Sequence, residues 1–334
     1  MAKIFIAGCG FGTAIAVLCQ KIGHKVTLWT PFEKERDEIL THGECKRLLP
    51  GIKIDKSINV TVEKQAAAKA DIIVFAVPSG FMRENARAFA PLIKKNAVAV
   101  SVSKGLEDGS YKRLSQVISE EIPNNSVVVL SGPSHAEEVG KGVLTTIVAA
   151  SEDQKAAEYV QEQFSSSNMR IYTNDDVVGV ELGGALKNSI ALALGICDGM
   201  GLGDNTKAAL MTRGLTEMGR LGTKMGARMD TFAGLSGIGD LIVTCTSVHS
   251  RNHRCGMLIG KGVDPKEAVS LVGTVEGYSA TKNAYELSRK VGIDMPIVEQ
   301  MHSILFGDVT AYQAMLNLTA RPKTSECESV WIDK

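Results

Sequence analysis

Two lysines occupy positions where an amine could exchange a proton with a reacting group. Lys187 lies in "GGALKNSIALA" (183–193), among small and apolar residues that predict a helix. Partial desolvation there would favour the neutral amine near working pH. Lys104, in "SKGLE", follows an apolar run directly and is expected at the end of a strand. The alternative for Lys187 is an ordinary lysine on an amphipathic helix. The alternative for Lys104 is a solvent-exposed lysine in a loop.

A carboxylate and a polar trio in the second half could complete such a site. Asp240, in "GIGD", could hold an amine or a hydroxyl group by a charge-assisted hydrogen bond, or cap the helix predicted after it. Ser250, Arg251 and Asn252 are contiguous and are expected to open a helix. An arginine fork and helix-start N–H groups suit a phosphate, and a surface turn is the alternative.

The N-terminal stretch "KIFIAGCGFGTAIA" (3–16) places glycines between an apolar strand and a small-residue helix. Gly8 and Gly10 fit the dinucleotide fingerprint G-x-G-x-x-G, whereas Gly12 comes one residue early. The first glycine permits a tight turn, the second lets the backbone approach a pyrophosphate, and the helix start faces the negative charge. We therefore favour dinucleotide binding over a plain strand-to-helix turn.

The first half of the chain alternates β-branched runs with helical segments. The predicted strands are 3–8, 25–30, 59–63, 71–78, 97–103, 126–132, 145–151 and 169–174, with helices at 13–22 and 33–41. Because the strands are apolar on both faces, the pattern predicts an α/β domain with a parallel sheet covered by helices. Ligands of such sheets bind beyond the carboxyl ends of the strands.

After about residue 176 the pattern becomes helical, with predicted helices at 177–200, 205–225, 250–260, 265–272, 276–290 and 295–306. The sequence therefore predicts two domains, 1–176 and 177–334. The most lipid-like stretch, "SIALALGIC" (189–197), is by itself too short to span a bilayer.

The composition excludes several classes of function. Among 334 residues, 37 basic side chains balance 37 acidic ones, so nothing favours a nucleic-acid partner. The odd number of scattered cysteines indicates thiols in a reducing compartment and predicts a cytoplasmic protein without membrane insertion. These seven cysteines are Cys9, Cys19, Cys45, Cys197, Cys245, Cys255 and Cys327.

A zinc site is conceivable where His249 and His253 lie near Cys245 and Cys255. Because no C-x-x-C or H-E-x-x-H pattern accompanies them, we expect no metal.

Several longer motifs occur in a fixed order along the chain. They are "AVPS" (76–79), "SKGLE" (103–107), "LSGPSHAEEV" (130–139), "VVGVELGGALKNSIALALGI" (177–196), "GLSGIGDLIVTCTS" (234–247), "HSRN" (249–252) and "VEG" (275–277). Together they resemble NAD(P)-dependent sn-glycerol-3-phosphate dehydrogenases of the bacterial type, over all but about the last 15 residues. The resemblance implies a Rossmann-like N-terminal domain and a mostly helical C-terminal domain.

The same resemblance implies an activity and a set of site residues. The family reduces dihydroxyacetone phosphate to sn-glycerol 3-phosphate, reversibly, with NADPH or NADH, and supplies phospholipid synthesis. It implies catalytic roles for Lys187 as general acid/base, for Asp240 and for Lys104. The implied cofactor-binding residues are Gly8, Gly10, Phe11, Gly12, Lys104, Ala136, Arg251 and Glu276. The implied substrate-binding residues are Lys104, Gly132, Ser134, Lys187, Asp240, Ser250, Arg251 and Asn252.

Two departures from that family pattern affect cofactor binding. The family's loop resembles G-x-G-S-aromatic-G-T-A, and the serine is missing between Gly10 and Phe11, which predicts a tighter loop and a lower cofactor affinity. The second predicted strand ends without a carboxylate for the adenosine ribose, while Lys34 and Arg36 lie nearby, so NADP stays open beside NAD.

Two other functions stay open at this point. One is a related β-hydroxyacid dehydrogenase, and the other is a catalytically impaired NAD(P)-binding protein, suggested by the short loop. The sequence does not fix the oligomeric state, and a homodimer is one option.

Overall fold

The computed structural model describes residues 1–247 and 249–326. These divide into two compact units. Unit 1 consists of Met1–Glu107 and Lys112–Val177, and unit 2 of Asp108–Tyr111 and Val178–Lys334. The four-residue segment is anchored within unit 2, where Asn283 Nδ2 donates to Asp108 Oδ1 (2.8 Å) and Tyr111 Oη donates to Glu286 Oε2 (2.8 Å).

Unit 1 is built on an eight-stranded sheet and a separate two-stranded hairpin. The strands are β1 (Lys3–Ala7), β2 (Lys25–Trp29), β3 (Glu44–Cys45), β4 (Leu49–Lys53), β5 (Asn59–Thr61), β6 (Ile72–Phe75), β7 (Val98–Ser101), β8 (Val127–Ser131), β9 (Thr145–Ala150) and β10 (Met169–Asn174). The strand order in the large sheet is β10-β9-β8-β7-β6-β1-β2-β5, and the hairpin of β3 and β4 was not predicted. The helices are α1 (Phe11–Ile22), α2 (Glu33–His42), α3 (Met82–Phe89), α4 (Leu114–Glu121), α5 (Ala136–Lys141) and α6 (Gln154–Phe164).

The predicted parallel sheet is present, with one antiparallel pairing that was not predicted. Strands β8 and β9 are antiparallel, and every other described pairing in this sheet is parallel. The helix between them, α5, packs against α1 and β4. Because α5 does not cross back over the sheet, β9 begins at the same edge of the sheet at which β8 ends. The two strands therefore run in opposite directions. A parallel neighbour would need a full crossover helix.

The core of unit 1 lies on both faces of the sheet, as the apolar strands predicted. Along β1, Ile4 and Ile6 belong to a buried cluster that includes α1. The alternate residue Phe5 packs on the other face, where its ring lies 5.2 Å from that of Phe89 on α3. Successive strand side chains point to opposite faces, so a strand buried on both sides must be apolar throughout.

Unit 2 is helical, and its predicted helices are confirmed within two residues at each end. They are α7 (Val177–Gly199), α8 (Asp204–Lys224), α11 (Arg251–Gly260), α12 (Pro265–Val272), α13 (Glu276–Val291) and α14 (Pro296–Phe306). Between α8 and α11 lie α9 (Met229–Phe232), a π-helical turn (Leu235–Gly239) and α10 (Asp240–Thr246). The last helix of the described part of the chain is α15 (Ala311–Thr319), which was not predicted.

Helix α7 corrects the argument about the apolar stretch 189–197. That stretch belongs to a helix of 23 residues, which is long and apolar enough to cross a membrane by length and composition. However, 94% of its most apolar window is buried inside the protein. Burial, not shortness, marks α7 as a core helix.

Candidate functional site

The glycine turn between β1 and α1 has the geometry that its sequence predicted. Gly8 has a φ of +105°, and a Cβ there would lie 2.6 Å from the Ala76 carbonyl oxygen. Gly10 has a φ of +73° and precedes the first helical residue, Phe11. At Gly12 a Cβ would lie 3.0 Å from the Ala76 Cβ, so this glycine brings α1 close to the sheet. The third glycine keeps its packing role despite arriving one residue early.

The start of α1 fits an anionic group. The Thr13 amide donates to the Gly10 carbonyl oxygen (3.0 Å), but no described side chain caps this helix, so no capping side chain occupies the amides of Phe11 and Gly12. Gly10 adds no side chain, and the nearest atom to a Cβ built there is 3.8 Å away. Backbone amides, the positive end of the helix dipole and an open approach together suit the pyrophosphate of a dinucleotide.

A second group of predicted residues lies at the carboxyl ends of neighbouring strands in unit 1. Lys104 follows β7, and Gly132 and Ser134 follow β8, which runs parallel to β7. Lys104 Nζ donates to the Gly132 carbonyl oxygen (3.0 Å), and Ser134 Oγ donates to the same oxygen (2.9 Å). Ala136 begins α5 just beyond them. The structure thus brings the predicted lysine and serine together at this edge.

In unit 2 the two predicted catalytic residues form a buried ion pair. Lys187 on α7 is 5% exposed and Asp240 on α10 is 1% exposed. Lys187 Nζ donates to Asp240 Oδ1 (2.6 Å) and to Thr244 Oγ1 (2.6 Å), while Thr244 Oγ1 donates to the Asp240 carbonyl oxygen (2.6 Å). Burial disfavours the charged ammonium, whereas the carboxylate and the hydroxyl oxygen stabilise it. The amine is therefore held in one position.

The backbone around Asp240 explains how this pair is assembled. A Cβ at Gly183 would lie 2.4 Å from the Ser236 carbonyl oxygen, so the π-helical turn packs directly on the α7 backbone. The turn therefore fills the space that the missing side chain of Gly183 leaves. The alternative that Asp240 caps α10 is also wrong, because Gly239 is the capping residue and the turn continues into the helix.

The predicted polar trio opens α11, and its members differ in their contacts. Ser250 caps the helix by accepting from the His253 amide (3.2 Å) and is buried. Arg251 is exposed at the first helical position. Asn252 is buried, donates to Asn188 Oδ1 (2.9 Å) and accepts from the Gly277 amide (2.8 Å). Asn252 therefore joins the starts of α11 and α13 to the residue that follows Lys187.

The predicted cofactor residue Glu276 belongs to the same network. Its Oε2 accepts from Asn188 Nδ2 (3.1 Å) at the start of α13. Helix α11 approaches α7 closely because both carry glycines at the crossing. A Cβ at Gly195 would lie 2.1 Å from the His253 carbonyl oxygen, and one at Gly256 would lie 2.1 Å from that of Leu192. These glycines bring the start of α11 within reach of Asn188.

Comparison with known proteins identifies the family of this chain. Residues 3–157 match the family described as NAD-dependent glycerol-3-phosphate dehydrogenase N-terminus, and residues 176–316 match its C-terminus. The glycerol-3-phosphate dehydrogenase [NAD(P)+] of Desulfitobacterium hafniense is 48% identical over 332 residues, covering 99% of this chain and 94% of the relative.

The chain belongs to the NAD-dependent glycerol-3-phosphate dehydrogenase family.

Two further relatives agree with this assignment. The Bacillus subtilis glycerol-3-phosphate dehydrogenase [NAD(P)+] is 49% identical over 99% of this chain and 97% of its own. The crystal structure of glycerol-3-phosphate dehydrogenase from Coxiella burnetii aligns with a TM-score of 0.92 at 38% identity, covering 96% of this chain and 99% of that one. The expected fold class, the oxidoreductase class and the NAD(P) cofactor are thereby confirmed.

Sequence reasoning missed two residues that bind the predicted site residues of unit 2. Thr244 lies four residues after Asp240, one helical turn along α10, so the helix period would have placed both on one face. Asn188 directly follows Lys187, yet its link to Asn252 and Glu276 is a tertiary contact that local spacing does not indicate.

A thiol pair beside the glycine turn was also not foreseen. The sulfur atoms of Cys9 and Cys45 lie within 4.8 Å of each other. The Cys9 side chain and, after it, the backbone at Leu48 and Gly10 lower the pKa of Cys45 to about 7. The same contact with Cys45, followed by burial, raises the pKa of Cys9. Away from this pair, burial raises the pKa of Cys245 to about 12 and that of Cys255 to about 11.

Proposed function

We propose that this protein reduces dihydroxyacetone phosphate to sn-glycerol 3-phosphate, reversibly, with NADPH or NADH. The observation that carries the proposal is the buried Lys187–Asp240–Thr244 group in a member of this dehydrogenase family. The relatives named above carry the same activity in their names. We further propose that the reaction supplies glycerophospholipid synthesis in the cytoplasm, and that the domains 1–176 and 177–334 divide the work as cofactor-binding and substrate-binding parts.

The cofactor, when bound, supplies the hydride that reduces the ketone carbon. We propose that the turn formed by Gly8, Gly10 and Gly12, with the first amides of α1, holds its pyrophosphate. Phe11 at the start of α1 and Ala136 at the start of α5 would also contact the cofactor. Arg251 and Glu276 stay predicted cofactor contacts from unit 2.

Hydride addition to a ketone also requires a proton at the forming alkoxide oxygen. We propose that Lys187 Nζ donates this proton and takes it back in the reverse reaction. Asp240 and Thr244 position the amine, because both accept hydrogen bonds from it. Lys104 would bring a second positive charge to the substrate and the nicotinamide from unit 1.

The substrate's phosphate and hydroxyl groups need donors. The geometry supports Arg251 as a phosphate ligand, because its exposed guanidinium lies at the start of α11, where the helix dipole favours an anion. Ser250 and Asn252 remain predicted substrate contacts, although the Asn252 carboxamide already bonds to Asn188 and Gly277. Gly132 and Ser134 would hold the polar triose.

The decisive experiment measures NADPH and NADH oxidation with dihydroxyacetone phosphate and, separately, with hydroxyacid or ketoacid substrates. Turnover of the triose phosphate supports the proposal. Turnover of the acids alone would establish the hydroxyacid alternative, and cofactor binding without turnover would establish the impaired protein. Comparing the two cofactors in the same assay determines the preference, and light scattering tests the homodimer.

The proton donor is tested by Lys187→Ala, which should lose orders of magnitude in kcat and still bind cofactor. Because this change leaves a buried carboxylate without its partner, the double variant with Asp240→Asn provides a better-folded test. Lys207→Ala is the matched control, since Lys207 pairs with Asp198 and Asp204 elsewhere in unit 2. Near-normal turnover of the double variant would show that another group transfers the proton.

A further inference from the structure

Three side chains capable of binding a metal converge beside the glycine turn in unit 1. Cys9 lies in the turn itself, Glu35 on α2 and Cys45 on β3. The two sulfur atoms and a carboxylate oxygen all lie within 4.8 Å of one another. Cys45 and Glu35 are buried and Cys9 is half-buried. Among the described residues, no other group of three histidine, cysteine or acidic ligands comes this close together.

The spacing suits one tetrahedral cation. With metal–sulfur bonds of about 2.3 Å and a metal–oxygen bond of about 2.1 Å, neighbouring ligand atoms lie about 3.6–3.8 Å apart. The three atoms would therefore have to move by no more than about 1 Å from their positions here. Two sulfur ligands and one oxygen ligand select a thiophilic cation such as Zn²⁺ over Mg²⁺ or Ca²⁺, which prefer oxygen ligands.

The surrounding groups already orient the ligands. The neighbouring Cys9 side chain and, after it, the backbone at Leu48 and Gly10 lower the pKa of Cys45 to about 7, which favours negative charge on its sulfur. Thr30 Oγ1 donates to Glu35 Oε2 (2.5 Å), which fixes the carboxylate and leaves lone pairs on both of its oxygens. Metal-binding residues in proteins are held by such outer hydrogen bonds.

We propose that Cys9, Glu35 and Cys45 bind one thiophilic divalent cation, with water as the fourth ligand. The thiols release their protons to solvent as the metal–sulfur bonds form. None of the three residues belongs to the Lys187–Asp240–Thr244 group, so the site is separate from the proposed proton transfer. Arg47 now neutralises Glu35, with Nη2 3.0 Å from Oε1, and its side chain is 65% exposed. A bound cation would take over that role and release Arg47 to solvent.

The test uses the fully reduced protein, titrated with Co²⁺ under anaerobic conditions. We expect one Co²⁺ per chain, a thiolate-to-cobalt charge-transfer band, and displacement by Zn²⁺. Cys9→Ser and Cys45→Ser should each lose most of that band. Cys197→Ser, which changes a half-buried cysteine on α7, should keep it. An unchanged band in both Cys9→Ser and Cys45→Ser would overturn the proposal, as would Co²⁺ binding without any such band.

Two milder variants test the site without removing sulfur. Glu35→Gln keeps the side-chain shape and an oxygen for Thr30, and should weaken Co²⁺ binding by about tenfold or more. Arg47→Gln removes a competing positive charge and should strengthen binding by about threefold or more. Unchanged affinity in Glu35→Gln would exclude the carboxylate as a ligand and overturn the three-residue site.

Discussion

Replacing Thr244 by valine tests whether the buried amine transfers the proton. Valine keeps the shape of the threonine side chain but removes the hydroxyl oxygen 2.6 Å from Lys187 Nζ. A hydrogen bond to a charged group contributes about 1.5–3 kcal/mol. Because about 1.4 kcal/mol corresponds to one pKa unit, loss of this bond should move the deprotonation of Lys187 to lower pH by about 1–2 units.

The assay is the pH dependence of kcat for reduction of dihydroxyacetone phosphate. The acid must be protonated in this direction, so activity falls as pH rises, and the alkaline limb should move to lower pH by about 1–2 units in Thr244→Val. In the oxidation direction the amine must be neutral, so the acidic limb should move to lower pH by the same amount. Thr244→Ser keeps the hydroxyl group and should restore both profiles.

The control is Thr246→Val on the same helix. Thr246 Oγ1 donates to the Ile242 carbonyl oxygen (2.8 Å), as Thr244 does to that of Asp240, but Thr246 is exposed. Its replacement should leave both pH profiles unchanged. If folded Thr244→Val keeps the wild-type alkaline limb, or if both valine variants shift equally, the assignment of the proton to Lys187 is refuted.

Three further changes have expected outcomes. Gly183→Ala should displace the π-helical turn and lower kcat at least about tenfold, whereas Gly80→Ala, with no atom within 4 Å of its Cβ, should not; equal kcat values for the two variants would contradict this. Burial raises the pKa of Glu217 to about 8 from 4.5, so the folded protein holds a proton that the unfolded chain releases, and stability should fall as pH rises between these values by up to about 1.4 kcal/mol per unit. Urea unfolding at pH 5, 6.5 and 8 compares wild type with Glu217→Gln, whose free energy of unfolding should lack this decline. If the free energies of the two proteins fall in parallel with pH, the titration of Glu217 is excluded as the cause. Insertion of serine between Gly10 and Phe11 should strengthen NADPH binding. An unchanged Kd would contradict the prediction that the short loop lowers cofactor affinity.

Features set by local sequence were predictable. Strands buried on both faces must be apolar throughout, so β1, β6 and β7 were visible from composition alone. The helices of unit 2 were visible from their periodicity. The glycine turn was predictable because positive φ and close backbone approach restrict which residues fit. The antiparallel pairing of β8 and β9 was not, because it depends on where α5 packs.

The sequence by itself indicated the family and singled out Lys187 as the candidate proton donor, since motif order and residue type are properties of the chain. Only the tertiary structure decided how that amine is held. Asp240 lies 53 residues after Lys187, and their 2.6 Å contact depends on a π-helical turn seated against Gly183. Likewise, Glu35 lies 26 residues after Cys9 and Cys45 lies 10 residues after Glu35, and the three meet only because α2 and β3 return to the glycine turn. Contacts between distant residues follow from packing, which local propensity does not encode.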